Sequence, residues 1–395
     1  MITLRPYQED AIQLLRNGFF KHKRQILCLP TGSGKTVIFS DMIRQAYNKN
    51  TTTLVLTDRI ELCSQTLKAI SHHNINPQIL NANSENFYPD APVTLAMCET
   101  IKRRMKKWIP DYYSPKLIIV DEAHKVSFNA ILDAFPNASV IGATATPKAK
   151  HLYRYYTNIV QNIDIPELIT QEYLSPCRAY MMKDNFDDVK IKRGEFDEKQ
   201  LFKHFDKKKL YSGVIEKYKE KCNNSKTLIF NVNIEHSIKM SEEFNNAGIS
   251  SKVIHSNTPP KERDMIIKEF SEGKFYVLSN CGILTTGYDE SSIETIVVNR
   301  ATLSLTLWLQ MQGRGSRIHP GKPYFTVLDF GMNHTRHDLW EIPRTWNLDP
   351  PKQKKKGTAP IKECPKCSAM LAAAAKICQF CGYIFPEQKQ ELKEG

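Results

Sequence analysis

The chain is expected to be an α/β protein with two parallel-sheet lobes and a small cysteine-rich module at its C-terminal end. Three observations predict this. Short β-rich runs alternate with longer amphipathic ones in the first third; the alternation restarts near Leu228; and four cysteines form two Cys-x-x-Cys pairs between positions 364 and 381. Strand–helix alternation of this kind builds parallel sheets covered on both faces. At 395 residues the chain exceeds one ordinary core and suffices for two lobes plus an appendage.

In the first lobe Gln25 to Leu29, Thr53 to Thr57, Val93 to Met97, Leu117 to Val120 and Ser139 to Ile141 read as buried strands. Thr36 to Tyr47, Arg59 to His72 and Glu99 to Lys107 carry apolar residues at helical spacing. The stretch from Lys183 to Lys221 is more polar and lacks strand signals, so it reads as a hinge region with an outer helix. The second lobe follows with strand Thr227 to Asn231, helix Glu235 to Asn246 and strand Lys252 to His255. Helix Lys261 to Phe270 and strands Tyr276 to Ser279, Thr295 to Asn299 and Tyr324 to Asp329 complete it. Lys352 to Gly357, after Pro350-Pro351, reads as a solvated basic linker. The expected divisions are residues 1–165, 166–345, 346–361 and 362–395.

Hydrophobic content of 41% and charged content of 25% are those of a soluble globular protein. The formal net charge of +13 and a pI near 9.1 suit an acidic partner, of which nucleic acid is the commonest. No apolar run approaches the ~20 residues that span a bilayer, and Met1 to Pro6 does not resemble a secretory signal. Cys28, Cys63, Cys98, Cys177, Cys222 and Cys281 are scattered as free thiols, so a cytoplasmic, reducing compartment is expected.

Leu29-Pro30-Thr31-Gly32-Ser33-Gly34-Lys35-Thr36 lies between a buried strand and an amphipathic helix, the context of a phosphate-binding loop. Gly32 and Gly34 let backbone N–H groups curl around phosphate oxygens, and the following helix turns its positive end to the same charge. Lys35 can reach the β- and γ-phosphates of ATP and Thr36 can ligate Mg²⁺. Leu29 stands where the usual pattern has its first glycine. Leu117 to Val120 leads into Asp121-Glu122-Ala123-His124, which sets two carboxylates at the C-terminal end of a strand. Asp121 would hold magnesium and Glu122 would orient or deprotonate the attacking water.

Motif by motif the chain resembles a superfamily 2 helicase with a DEAH box, in the group of RadD-like and Rad25-like DNA helicases. The resemblance runs from about Leu4 to Asp329 and implies two RecA-like lobes. It implies adenine contacts from Arg5 and Gln8, and first-lobe nucleic-acid contacts from Thr57-Asp58-Arg59 and Thr100. Gly142 to Pro147, with Thr144 and Thr146, resembles the motif coupling hydrolysis to lobe movement, and His124 joins it. In the second lobe Ile229-Phe230 and Glu235-His236 resemble motif IV, and His255-Ser256 the next contact. Leu284 to Asp289, with Thr285, Gly287 and Asp289, resembles motif V; Gln310 to Arg317 resembles motif VI. Arg314 and Arg317 stand three apart on a helical turn. Both would act as arginine fingers on charge that develops at the γ-phosphate.

DEAH boxes occur in DNA and RNA motors alike. Met311 after Gln310, the short interval from Asp289 to Gln310, and Pro320-Gly321-Lys322 with Leu328-Asp329 favour DNA over RNA. Lys102-Arg103-Arg104 and Lys106-Lys107 are phosphate-contact candidates or a solvated helix face.

Cys364, Cys367, Cys378 and Cys381 form two knuckles with a ten-residue gap, a pattern for tetrahedral Zn²⁺ in a compact ribbon. Disulfides, idle thiols and an iron–sulfur cluster are the alternatives. The expected function is an ATP-dependent DNA helicase or translocase, monomeric, with a possible protein partner at the ribbon. A restriction or defence motor subunit, an RNA helicase and a nucleotide-gated DNA clamp are the alternatives.

Overall fold

A computed structural model describes residues 3–58, 60–108, 112–149, 151–222, 224–285, 287–348 and 360–386. The chain divides into two compact units, neither of them continuous in sequence. The first comprises Met1–Gln171, Thr286–Tyr288 and Pro343–Lys354; the second comprises Glu172–Thr285, Asp289–Ile342 and Lys355–Gly395.

The first unit is built on seven strands: β1 (Arg24–Cys28), β2 (Thr53–Thr57), β3 (Gln78–Leu80), β4 (Val93–Met97), β5 (Leu117–Val120), β6 (Ser139–Thr144) and β7 (Asn158–Val160). Their order is β3-β4-β2-β5-β6-β1-β7, and every pairing is parallel. Ile26, Leu54, Leu56, Ile118, Val120 and Val140 fill one layer of the core, fully buried as strands covered on both faces require. Trp346 and Leu348 pack against the same core from the far end of the sequence. Gln161 fastens that segment: its Nε2 donates to Arg344 O at 2.6 Å and its Oε1 accepts from Trp346 N at 3.1 Å. These two residues fall in the stretch 346–361 read as a linker, most of which, Lys352 to Lys356 included, lies outside the described residues.

The second unit contains β8 (Cys177–Met181), a two-stranded antiparallel hairpin of β9 (Ile191–Lys192) and β10 (Glu195–Phe196), then β11 (Thr227–Asn231), β12 (Ser251–Ile254), β13 (Val277–Asn280), β14 (Thr295–Asn299) and β15 (Phe325–Asp329). Its six-stranded parallel sheet has the order β12-β13-β11-β14-β15-β8. The polar stretch from Lys183 to Lys221, expected as a hinge, is part of this unit. Phe186, Val189, Leu201, Phe205, Tyr211 and Tyr218 enter its core among exposed lysines. An amphipathic segment with one apolar side buried needs no continuous apolar run.

The C-terminal module adds the antiparallel pair β16 (Ile361–Glu363) and β17 (Met370–Ala372). It packs beside the edge strand β8: Ala369 belongs to the second unit's core, and Cys367 and Phe380 lie against it. The Arg178 guanidinium from β8 lies 5.0 Å from the Phe380 ring and 3.9 Å from that of Tyr324, a cation between two aromatic faces. An unpaired sheet edge is a liability, and this module covers one.

Candidate nucleotide site and its companion motifs

The phosphate loop joins β1 to the Lys35–Asn48 helix. Gly32 and Gly34 have φ of +88° and +80°, where a side chain is strained. A Cβ on Gly34 would also stand 2.6 Å from Gln8 Nε2. Leu29, the departure from the usual glycine, is fully buried, so its side chain belongs to the core and only its carbonyl serves the loop. Lys35 Nζ donates to that carbonyl and to Pro30 O, each at 3.0 Å. Ser33 is buried and its Oγ donates to Pro30 O at 2.8 Å. Thr31 and Thr36 are half-buried at the two ends of the curl.

The Pro6–Gly18 helix braces this loop from outside. Tyr7 Oη and Gln8 Nε2 both donate to Ser33 O, at 2.5 and 3.1 Å. Arg5 lies at the helix start; its backbone N donates to Gln8 Oε1 at 3.0 Å, and its guanidinium reaches Tyr7 Oη at 3.4 Å. The sequence reading singled out Arg5 and Gln8 and missed Tyr7, whose aromatic ring beside them was the available signal.

At the end of β5, Asp121 and Glu122 stand side by side. Glu122 adopts φ of +53°, a left-handed turn that a non-glycine residue takes only when its surroundings enforce it. Its backbone N–H donates to Asp121 Oδ1 at 2.9 Å. Burial, and then repulsion from Glu122, push the Asp121 carboxyl up to about 7, with Lys35 opposing. A divalent cation held beside Asp121 would reverse that balance and keep the carboxylate ionised. His124 Nδ1 lies 3.0 Å from Thr144 Oγ1 and 3.3 Å from Glu122 Oε2, and burial holds its pKa below the ordinary value. Thr144 Oγ1 also accepts from Thr146 N at 3.0 Å. His124 Nδ1 thus stands between the Glu122 carboxylate and the Thr144 hydroxyl, which is hydrogen-bonded on to Thr146.

Thr57 and Thr100 are buried, so little of either hydroxyl faces solvent. Arg59 lies outside the described residues. Asp58 pairs with Lys125. In the basic helix Cys98–Trp108, Arg104 is spent on the Ser84 and Ala82 carbonyls, at 2.5 and 2.9 Å, whereas Arg103, Lys106 and Lys107 are exposed.

In the second unit, Gln310 and Arg314 are buried along and just beyond the Leu305–Gln312 helix. Arg317 Nε pairs with Asp289 Oδ1 at 2.8 Å, so motif VI is held by the motif V segment. Thr285 is buried, its Oγ1 3.5 Å from Gly282 O, and His255 is half-buried after β12; Gly287, with φ of +76°, belongs to the first unit. Ser175 fixes the backbone at Arg317, its Oγ donating to Arg317 O at 3.1 Å. Lys322, which the sequence reading passed over as a site residue, is buried. It donates to Ser291 O, Ile293 O and Gly315 O at 2.7, 3.0 and 3.1 Å. It thereby staples the turn bearing Arg314 to the segment after Asp289, and no sequence pattern announces it. The helix ends at Gln312 and Arg317 pairs with Leu174 in an antiparallel bridge, so the two arginines do not share the helical turn expected of them.

The four C-terminal cysteines converge. All sulfurs lie within 4.8 Å of one another, with Cys364–Cys381 at 3.6 Å and Cys367–Cys378 at 3.7 Å. Tetrahedral zinc with Zn–S bonds of ~2.3 Å sets its sulfurs about 3.8 Å apart, so the set fits the metal. Both knuckles close alike: Ser368 and Gly382, each following its pair, have φ of +61° and +70°.

Three family models match successive parts of the chain. Residues 1–149 match the family "Type III restriction enzyme, res subunit", residues 207–319 match "Helicase conserved C-terminal domain", and residues 362–387 match "Uncharacterised protein family UPF0547". The chain is 34% identical over 356 residues to the putative ATP-dependent helicase IRC3 of Saccharomyces cerevisiae, covering 83% of this chain and 51% of the relative. It is 32% identical over 369 residues to the putative mitochondrial ATP-dependent helicase irc3 of Schizosaccharomyces pombe, covering 88% and 61%. It thus spans roughly half to three-fifths of these relatives. Among solved structures, a fragment of a putative HsdR subunit of a type I restriction enzyme from Vibrio vulnificus shares the fold, with a TM-score of 0.70 at 22% identity, covering 86% of this chain and 66% of that one. With two parallel-sheet units, a restriction-enzyme res-subunit match in the first, a helicase C-terminal match in the second and ATP-dependent helicases among its relatives, the chain belongs to the superfamily 2 helicases.

Proposed function

We propose that this chain couples ATP hydrolysis to movement along DNA, as a DEAH-type motor of the RadD-like group. The observation that carries the reading is the contact series Glu122–His124–Thr144–Thr146, because one imidazole nitrogen sets the hydrolytic carboxylate beside the Gly142–Pro147 segment. Lys35 and the loop N–H groups bind the triphosphate of ATP, its substrate. Thr36 and Asp121 hold Mg²⁺, which supplies charge neutralisation at the phosphates. Glu122 orients and deprotonates the attacking water, and His124 passes any displacement of Glu122 to Thr144. Arg314 and Arg317 stabilise the charge that spreads over the transferred phosphoryl group. For Arg317 this requires exchange of its Asp289 partner.

The names of both yeast relatives support an ATP-dependent helicase. The C-terminal module holds Zn²⁺ through Cys364, Cys367, Cys378 and Cys381 and offers a surface to DNA or to a protein partner. The motor is tested with strand-displacement and triplex-displacement substrates side by side, on single-stranded, forked and branched DNA with RNA controls. ATP-dependent displacement of both products supports unwinding. Loss of the triplex strand alone supports a translocase in a restriction assembly, the second reading, favoured by the family matched at residues 1–149. No displacement of either, with nucleotide-dependent binding, would leave a clamp.

A further inference from the structure

The β9–β10 hairpin has an architecture that packing alone does not account for. Residues 190–194 (Lys190-Ile191-Lys192-Arg193-Gly194) are exposed without interruption, and Ile191 is 60% exposed. Arg193 and Gly194 have φ of +53° and +80°, the two left-handed central residues of a tight primed turn. A single exposed isoleucine is ordinary on a protein surface; here it stands among three cations on a turn whose base is fixed. Asp197 N donates to Lys190 O at 2.7 Å and Lys190 N to Gln200 Oε1 at 2.9 Å. Arg336 lies 5.3 Å from the Phe186 ring and 5.1 Å from the Phe196 ring beneath. The two acids nearest the tip are committed: Asp197 to Gln200 N and Lys192, Glu195 to the chain after β14. Among the described residues neither Lys190 nor Arg193 forms an ion pair.

Glu195 gives the hairpin its address. Its Oε1 accepts from Leu303 N at 2.8 Å and its Oε2 from Thr302 Oγ1 at 2.5 Å, while Thr302 Oγ1 accepts from Ser304 N at 3.0 Å. Ser304 is the N-cap of the Leu305–Gln312 helix. The hairpin is therefore fastened at the carboxyl edge of the second sheet, where β11, β12 and β13 also lead into His236, His255 and Thr285. Open parallel sheets bind ligands at that edge.

We propose that this hairpin is a nucleic-acid-contacting pin: Lys190 and Arg193 meet the phosphates of a strand, Ile191 meets its bases, and Glu195 ties the pin to the motif VI helix. The proposal rests on the motor reading and deepens it by naming a contact outside the motifs. Cationic side chains release counterions from phosphates, and isoleucine is among the apolar wedges that proteins insert between base steps.

The test uses the full chain and a forked DNA with a fluorescent arm. Lys190→Ala/Arg193→Ala weakens binding about tenfold at 0.1 M salt and reduces the log–log salt slope by about 1.4 to 1.8, two phosphate contacts' worth. Lys190→Glu/Arg193→Glu weakens it further. Melting temperature and affinity for a fluorescent ATP analogue serve as fold controls. Ile191→Ser slows displacement of the forked strand more than displacement of a triplex strand. Glu195→Ala lowers DNA-stimulated turnover while the DNA affinity stays near the parent's, and Glu195→Gln retains more of the stimulation. If the double alanine variant binds with the parent's affinity and salt slope, the hairpin is no contact and the proposal falls. If the parent itself shows neither binding to nor stimulation by DNA or RNA, the motor reading fails before the hairpin is at issue.

Discussion

The two parallel sheets close their carboxyl edges with opposite chemistry. In the first unit the edge is charged: Lys35 lies over loop carbonyls, two glycines hold left-handed backbone, and Asp121 and Glu122 crowd each other. In the second unit the centre of the corresponding edge is closed by a neutral, fully buried network, and charge enters only beside it, where the buried Asp329 carboxylate at the end of β15 accepts from Asn333 Nδ2 at 2.8 Å and His334 N at 2.9 Å. Asn231 Nδ2 donates to Ser279 Oγ at 2.9 Å, Asn299 Nδ2 to Asn231 Oδ1 at 3.2 Å, and Ser279 Oγ to Ser237 O at 2.8 Å. His236 Nε2 lies 3.0 Å from Asn299 Nδ2, and burial pulls its pKa down to about 3. The same architecture thus carries a hydrolytic cradle in one copy and a rigid polar plug in the other. Function resides in the loops, and the plug spends the centre of the second edge on rigidity, leaving the loops around it to bind.

The largest effect expected from breaking this contrast is at the charged edge. Lys35→Ala or Glu122→Gln reduces ATP turnover at least ~10³-fold with the chain still folded, because the proposed function makes one the phosphate cation and the other the base. Phosphate release and circular dichroism on the same preparations check this; near-normal turnover in a folded variant would displace the site. Next, Arg317→Ala slows hydrolysis about 10³-fold while ATP binds nearly as before, since the finger acts on transition-state charge. A collapse of nucleotide affinity with normal turnover at saturation contradicts that role.

Smaller effects sharpen the comparison from the second unit. A zinc chelator, or Cys378→Ser, unfolds the module, withdraws Ala369 and Phe380 from beside β8, and lowers that unit's melting temperature by several degrees. Calorimetry with and without chelator reads it, and an unchanged transition would make the module an independent appendage. Smallest is a pH effect at the plug. The pKa of His236 is lower in the folded chain than in the unfolded chain, so the unfolded chain takes the extra proton. Its contribution is intact above about 6.5 and is lost as pH falls from 6.5 toward 3. His236→Gln should therefore flatten the acid limb of urea midpoints between pH 7 and 5 relative to the parent.

Much of this was legible because of how each part is encoded. β2, β4, β5, β11 and β14 coincide with the apolar runs, since strands buried on both faces need continuous apolar residues. β3 and β7, of three residues each, are too short to leave a period. β8 lies at a sheet edge, and Arg178 interrupts its apolar run. The phosphate loop and the Asp121–His124 turn are contiguous in sequence and so could be read directly. Tyr7, Glu195 and Lys322 act on carbonyls and N–H groups between 7 and 108 positions away, a relation that only the folded chain displays.

The discontinuity of both units bears on how the protein is made. Trp346 and Leu348 complete the first core, and Ala369 with Phe380 completes the second. A ribosome exposes the chain from its start, so β1 to β7 emerge long before the tryptophan that packs on them, and β8 waits almost 200 residues for its cover. Such long-range closure is slow. During translation the nascent first unit carries an open apolar patch and the nascent second unit a bare edge strand, the two surfaces on which a chaperone would act.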